Sequence, residues 1–106
     1  MGTDDYAAAY MVAEAAMNRG DPGPLRDLLA EDFTSMGFTR DEFIEGWSAG
    51  WTSFHSHGVV AFGPFLLDYG SGRRPDGSIG LAAGVLRFNA EGKVESHTAF
   101  VADATG

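Results

Sequence analysis

The chain of 106 residues is 44% hydrophobic, the size and composition of a globular protein with a buried core, and we expect residues 1–106 to form a single domain. Fifteen acidic against seven basic residues give a formal net charge of -8, which opposes binding to nucleic acid and to anionic lipid surfaces. The lack of cysteine excludes disulfides and thiolate chemistry. Together with an acidic N-terminus and no long apolar run, it predicts a cytoplasmic protein with no nucleic-acid or membrane partner.

The first predicted element is a helix from Asp5 to Arg19, an alanine-rich stretch that ends before Gly20. Much of its circumference is apolar, so the helix needs cover on more than one side. One stripe of this helix, at steps of four and three residues, consists of Tyr6, Tyr10, Ala13 and Met17.

Two shorter helices are predicted next. Pro24 suits the first position of the second helix, which we expect to end near Asp32. Thr39 and Glu42 have the spacing of a capping box, in which side-chain and backbone groups bond reciprocally at a helix start, and they predict the third helix. Three large rings recur at every fourth position of that helix, namely Phe43, Trp47 and Trp51.

Beyond Phe54 the sequence changes to short apolar runs rich in Val, Phe and Leu, separated by turn residues. This pattern predicts antiparallel strands joined as a meander. Because the helices come first and the strands second, the fold class is α+β. The predicted strands cover residues 55–62, 65–70, 78–89 and 93–102.

Two stretches of the chain carry a family resemblance. Residues 18–33 contain Asn-Arg-Gly-Asp and then Leu-Leu-Ala-Glu-Asp-Phe, and residues 86–94 read Leu-Arg-Phe-Asn-Ala-Glu-Gly-Lys-Val. Together with the order of the elements, these stretches resemble the nuclear transport factor 2-like superfamily, which includes ketosteroid isomerase, scytalone dehydratase and the SnoaL-like polyketide cyclases. The resemblance implies three N-terminal helices packed on a curved antiparallel sheet, forming a cone-shaped half-barrel with an internal pocket for a hydrophobic small molecule.

Comparison with ketosteroid isomerase removes one activity from consideration. In this resemblance, the helix-1 tyrosine of the isomerase corresponds to Ala13 and its general-base aspartate to a position near Gly37. Its oxyanion-hole acid corresponds to Gly84. None of these residues has a proton to give or take, so the resemblance does not extend to that isomerase's mechanism.

The last predicted strand resembles that of the SnoaL-like cyclases, in which a histidine lies near an acid. Here the histidine is His97, and Ala99 replaces the acid, so His97 has to serve as the acid or base itself. Asp32, at the expected exit of the second helix, is a candidate to orient His97, and the Tyr10 hydroxyl is a candidate donor. The alternatives are a histidine with a structural hydrogen bond and a tyrosine that only fills the core.

The same resemblance implies that Glu95, His97, Ala99, Val101 and Asp103 face the pocket, since alternate residues of a strand share a side. Aromatic residues of the third helix either fill the core or stack on a flat ligand. The residues that we expect to contact a ligand are Tyr6, Met17, Phe43, Trp47, Trp51, Gly84, Leu86, Ala99 and Val101.

Two further patterns have mainly structural interpretations. His55 and His57 lie on one side of a strand, a spacing that can hold a metal only if a third ligand converges. Arg73 and Arg74 lie in a predicted loop that either is solvated or grips an anionic group at the pocket mouth. We expect neither a metal nor another cofactor.

Two functions fit these observations. The first is a cofactor-independent cyclase, isomerase or dehydratase that acts on a hydrophobic carbonyl compound through His97, Asp32 and Tyr10. The second is a binding or carrier module in which Ala82, Gly84 and Ala99 only make room. In either case we expect a homodimer through the outer sheet face, where an apolar patch consists of Leu81, Val85 and Phe100.

Overall fold

The computed structural model describes residues 3–104, which form three helices and one sheet. Two helices precede the first strand, and the third lies between the second and third strands. Thr39 accepts a hydrogen bond from the Glu42 backbone and Glu42 accepts one from the Thr39 backbone, so the predicted capping box is present. The helices are α1 (Thr3–Asn18), α2 (Gly23–Leu28) and α3 (Arg40–Gly50).

The sheet within this part of the chain has six strands: β1 (Leu29–Ser35), β2 (Phe38–Thr39), β3 (Ser53–Phe62), β4 (Phe65–Arg73), β5 (Ile79–Phe88) and β6 (Val94–Asp103). Their order in the sheet is β2-β1-β6-β5-β4-β3. The four predicted strands correspond to β3–β6, which pair as an antiparallel meander. The α+β cone, with helices on a curved sheet that does not close, is therefore confirmed.

The second helix is shorter than its sequence predicts. It ends at Leu28, and residues 29–35 form β1, which runs parallel to β6, so the sheet is mixed. A helix of six residues gains few backbone hydrogen bonds. Three residues of β1 pair instead with the neighbouring strand, Leu29 with Val94, Thr34 with Ser96 and Ser35 with His97. The prediction of helix as far as Asp32 is wrong for this reason.

Side chains of α1 take the place of a further strand along the free edge of β3. Asn18 Nδ2 donates to the Phe54 carbonyl and Asn18 Oδ1 accepts from the Phe54 backbone N–H, both at 2.8 Å. One turn earlier, Glu14 Oε2 accepts from the Ser56 backbone N–H at 3.1 Å. These two side chains therefore satisfy three backbone groups in the first half of the β3 edge.

A β-bulge in β6 changes which residues face the pocket. Phe88 pairs with Val94 but Arg87 pairs with Ser96, so Glu95 is the extra residue. Glu95 bonds to Arg87 at 2.9 Å on the outer side of the sheet. The expectation that Glu95 faces the pocket is wrong because the bulge reverses the alternation at that point.

The core lies between α1, α2 and the inner face of the sheet. Tyr6 is part of it, since its ring stacks on Phe88 with centroids 4.0 Å apart. The largest fully buried side chains are Phe33, Leu25, Leu66, Leu86 and Val94.

The outer face of the sheet carries exposed apolar side chains. Tyr69, Ala83 and Phe100 stand side by side across β4, β5 and β6, and Phe100 is 71% exposed. None of the helices in residues 3–104 has the length and apolar character of a membrane span. The other large apolar residues exposed on β3–β6 of this face include Val60, Leu67, Leu81 and Val85.

Candidate active site

A cavity of about 280 Å³ opens between α1, α3 and the inner face of the sheet. Its walls are mainly apolar, and neither lysine nor arginine is among its described lining residues. The polar lining consists of Tyr10, Ser35, Glu42, Asp68 and His97. The apolar lining consists of Met36, Phe38, Phe43, Gly46, Trp47, Trp51, Phe54, Ala82, Ala83, Gly84, Ala99 and Val101.

Most of the predicted site residues line this cavity, and four do not. Tyr6, Met17 and Leu86 are outside its lining and pack in or against the hydrophobic core. Asp32 is exposed on β1, in a separate polar cleft that also contains Arg40 and Lys93. The cavity therefore does not bring these four residues together with the other predicted site residues.

Asp68 is the acidic group that the sequence analysis missed. It lies on the inner side of β4, is only 7% exposed, and accepts a hydrogen bond from the Tyr10 hydroxyl at its Oδ2, 3.1 Å away. Burial raises the pKa of Asp68 to about 6, because charge is costly away from water. A sequence signal was available, since Asp68 shares strand parity with buried Leu66 and is the one charged residue between Phe65 and Ser71.

The Tyr10 hydroxyl stays protonated at the site. Burial, followed by the neighbouring carboxyl group of Asp68, raises the pKa of Tyr10 well above its ordinary value. Tyr10 therefore acts as a hydrogen-bond donor to Asp68 and does not supply a phenolate base.

Ser35 is the partner of His97, and Asp32 is not. His97 Nδ1 lies 2.8 Å from Ser35 Oγ, a contact that the parallel pairing of β1 with β6 produces directly. The expected role of Asp32 in orienting His97 is wrong because residues 29–35 form a strand that turns Asp32 to the solvent.

This contact favours one tautomer of His97. Ser35 is 5% exposed, and within residues 3–104 the only hydrogen-bond partner of its hydroxyl is His97 Nδ1. The tautomer in which Nδ1 accepts gives the buried Ser35 hydroxyl proton an acceptor, and in this tautomer the neutral ring carries its proton on Nε2. Burial lowers the pKa of His97 to about 4, which keeps the ring neutral at pH 7.

Gly84 has no side chain, and its place beside Asp68 and His97 is therefore open. A methyl group at Gly84 would lie 2.9 Å from His97 Nε2 and 3.1 Å from Asp68 Oδ1. The two polar atoms are therefore at most about 6 Å apart, and both lie close to the same point in the cavity. Asp68 Oδ1 accepts no hydrogen bond from another described residue, so both atoms are available to a ligand.

A second carboxylate lies behind Asp68. Glu14 is 3% exposed, and its Oε1 accepts a hydrogen bond of 2.6 Å from the Ser56 hydroxyl. The same hydroxyl oxygen is 3.5 Å from Asp68 Oδ2. Tyr10, Asp68, Ser56 and Glu14 thus form one connected polar network between α1 and the sheet.

Aromatic rings enclose the polar end of the cavity. Phe43 meets the His97 ring edge-on, with centroids 4.9 Å apart. Trp51 lies close over Gly72 and Gly80, where any side chain would collide with its indole. Arg74 covers the same indole, with its guanidinium carbon 5.8 Å from the ring centroid, and also bonds to Asp103 at 2.9 Å.

The histidine pair at the start of β3 lies apart from this site. His57 Nε2 is 2.7 Å from Ser71 Oγ, and both residues lie outside the cavity lining. Among the described residues no three potential metal ligands converge.

A mainly apolar pocket with a few polar groups is typical of sites that bind small molecules. No protein-family model matches the chain, and no curated protein matches it. Among solved structures, the chain has the fold of the nuclear transport factor 2-like proteins, which confirms the resemblance of its sequence at the level of fold.

Three solved structures illustrate this likeness. An NTF-2 like protein of unknown function from Burkholderia xenovorans LB400 has a TM-score of 0.80 and 17% identity, over 94% of this chain and 84% of its own. A steroid delta-isomerase from Pseudomonas aeruginosa has a TM-score of 0.72 and 18% identity, over 95% and 82%. SalBIII, an epoxide hydrolase/cyclase-like enzyme of pyran ring formation in salinomycin, has a TM-score of 0.75 and 14% identity, over 93% and 92%.

Proposed function

We propose that this protein is a cofactor-independent acid/base enzyme, a cyclase, isomerase or dehydratase, that acts on a hydrophobic carbonyl compound. The single observation that carries the proposal is the approach of Asp68 Oδ1 and His97 Nε2 to one point above Gly84. A carbonyl oxygen bound to one atom places its neighbouring C–H group within reach of the other.

The two groups have different tasks. Asp68 takes a proton from the carbon beside the carbonyl, and the C–H electron pair forms the C=C bond of an enolate. His97 donates its Nε2–H to the enolate oxygen, which carries the developing charge. A neutral imidazole suits this task, because its burial prevents it from starting as a cation.

The later fate of the proton decides the reaction. Return of the proton from Asp68 to a different carbon gives isomerisation, attack of the enolate carbon on an electrophile gives ring closure, and loss of a hydroxide from the adjacent carbon gives dehydration. A carboxyl group with a pKa of about 6 is ionised at pH 7, yet it is a stronger base than an ordinary aspartate.

Hydrogen–deuterium exchange tests this step without knowledge of the product. Small uncharged cyclic ketones are incubated in D₂O with the protein, and exchange at the carbon beside the carbonyl is followed by NMR. We expect Asp68→Asn to lower the catalysed exchange by about 100-fold or more, and His97→Gln to lower it too. Asp41→Asn, an exposed change on α3, is the control. Equal exchange in Asp68→Asn and the unmodified protein would overturn the assignment of the base.

The second candidate function is a binding or carrier module. The apolar walls and the small residues Ala82, Gly84 and Ala99 favour it, since they make room without chemistry. Under this alternative the same ketones bind, as shown by shifts of the Trp47 and Trp51 signals, but no exchange is catalysed. That result would replace the enzyme by the binding module.

We also propose that a second copy of the chain covers the outer sheet face. Tyr69 and Phe100 flank the small residue Ala83, so two rings and a gap lie side by side. Across a two-fold axis the Phe100 ring of each copy fills the gap of the other. Light scattering checks this, with a dimer expected for the unmodified protein and a monomer for Phe100→Asp. Val12→Asp, on an exposed side of α1, should remain a dimer.

A further inference from the structure

The hydroxyl group of Ser56 lies between two buried carboxyl groups and has one proton for both. Its oxygen is 2.6 Å from Glu14 Oε1 and 3.5 Å from Asp68 Oδ2. A short O–H···O contact is strong and one of 3.5 Å is at the limit of hydrogen bonding, so Glu14 receives the proton. Both Glu14 oxygens accept hydrogen bonds from Ser56, one from the hydroxyl and one from the backbone N–H, as a carboxylate does.

Asp68 is left with the Tyr10 hydroxyl as its one strong donor. The titratable groups that face it are Tyr10 and Glu14 from α1, His97 from β6 and Glu42 from α3. None of these is a lysine or arginine, and β3 and β5 contribute no titratable group on this side among the residues described. The charge of ionised Asp68 is therefore poorly compensated.

We propose that Glu14 is a positioning residue that sets the proton affinity of Asp68 by holding the Ser56 hydroxyl away from it. The inference concerns the same Asp68 as the proposed function and rests on it for its catalytic meaning. Two physical effects act in one direction. Glu14 removes a donor that would stabilise the Asp68 carboxylate, and its own negative charge lies close by.

The competing explanation is that Glu14 only closes the free edge of β3. In that case its removal destabilises the strand and leaves the titration of Asp68 unchanged. The variant Glu14→Gln separates the two explanations. Its amide oxygen can still accept from the Ser56 backbone, while its N–H₂ donates to the Ser56 oxygen and turns the hydroxyl proton toward Asp68.

The test is a titration of the Asp68 carboxyl carbon by ¹³C NMR in the free protein, with amide spectra to show that each variant is folded. We expect Glu14→Gln to lower the Asp68 midpoint by about one unit or more. Ser56→Ala keeps the Glu14 charge and lacks the contested proton, so its midpoint should not be lower than that of the unmodified protein. In Glu14→Gln combined with Ser56→Ala, only the charge effect remains and the lowering should be smaller.

A folded Glu14→Gln protein with an unchanged Asp68 midpoint would overturn the proposal. If that variant does not fold, Ser56→Ala still decides, because a lower Asp68 midpoint in a folded Ser56→Ala protein would equally overturn it. The titration needs no substrate, so a protein that fails to catalyse exchange but shows these shifts contradicts the proposed function and not this inference.

Discussion

The Tyr10 hydroxyl of α1 donates a hydrogen bond to Asp68 of β4 across 58 positions of the chain, with the two oxygens 3.1 Å apart. A donor to the ionised form of a carboxyl group lowers its pKa, so Tyr10 opposes the effect of burial on Asp68. This contact ties the first helix to the floor of the cavity.

Replacing Tyr10 by Phe should raise the pKa of Asp68 further above about 6, because the ring stays and only the donor is lost. The measurement is the ¹³C titration of the Asp68 carboxyl carbon. The shift is opposite in sign to that expected for Glu14→Gln. A lower midpoint in Tyr10→Phe would show that the hydroxyl does not stabilise the carboxylate.

Asp68 and His97 should affect stability with opposite pH dependence. The pKa of Asp68 is raised in the folded state from 3.8 to about 6, so its contribution to the free energy of unfolding falls as pH rises from about 4 to about 6. The pKa of His97 is lowered from 6.5 to about 4, so its contribution falls as pH drops from about 6.5 to about 4.

In the unmodified protein the two contributions to the free energy of unfolding change with pH in opposite directions, and each variant removes one of them. Relative to it, Asp68→Asn should lose stability when the pH is lowered from 7 to 4.5, and His97→Gln should gain it, each by about 2 kcal/mol. Urea unfolding at the two pH values measures both differences. If the free energy of unfolding changed equally with pH in all three proteins, neither group would change its proton affinity on folding.

Gly84→Ala should close the space between the acid and the histidine. The added methyl group lies 2.9 Å from His97 Nε2 and 3.1 Å from Asp68 Oδ1, so the His97 ring has to move. We expect changed ring signals of His97 and loss of ketone binding, at a stability cost of about 1–3 kcal/mol. Gly50→Ala, where an added methyl group has nothing within 4 Å, should leave the His97 signals unchanged.

Asn18→Ala should destabilise the protein by about 1–3 kcal/mol, because the Phe54 backbone N–H and carbonyl both lose a partly buried partner. Thermal or urea unfolding gives the value. Val12→Ala, 61% exposed on the same helix, should change stability by less than about 0.5 kcal/mol. Equal effects of the two changes would contradict the role of Asn18 at the β3 edge.

Local patterns were sufficient to predict much of the fold. The capping box at Thr39 and the apolar runs after Phe54 are short-range signals, and the helix and strands that they predict are present. Strand β1 was missed because its stability comes from parallel pairing with β6, and such a distant partner leaves little trace in residues 29–35.

The candidate site was predicted in part for the same reason. His97 and Tyr10 lie on long elements whose direction follows from their periodicity, and both line the cavity. Asp68 was missed and Asp32 was chosen because the pairing of acids with the histidine depends on how the strands lie side by side. Glu95 was misplaced because a single bulge residue in β6 is invisible to the alternation of polar and apolar residues.

Three polar side chains of α1 lie four residues apart, and each bonds to a different place on the sheet: Tyr10 to Asp68, Glu14 to Ser56 and Asn18 to Phe54. The alanine side chains of α1 are small, so they alone would allow the helix to pack at several positions along its axis. A slide of one turn, about 5.4 Å, would break all three attachments together. The helix can therefore pack on the sheet at only one position along its axis. That position determines where Tyr10 and Asp68 lie at the floor of the cavity.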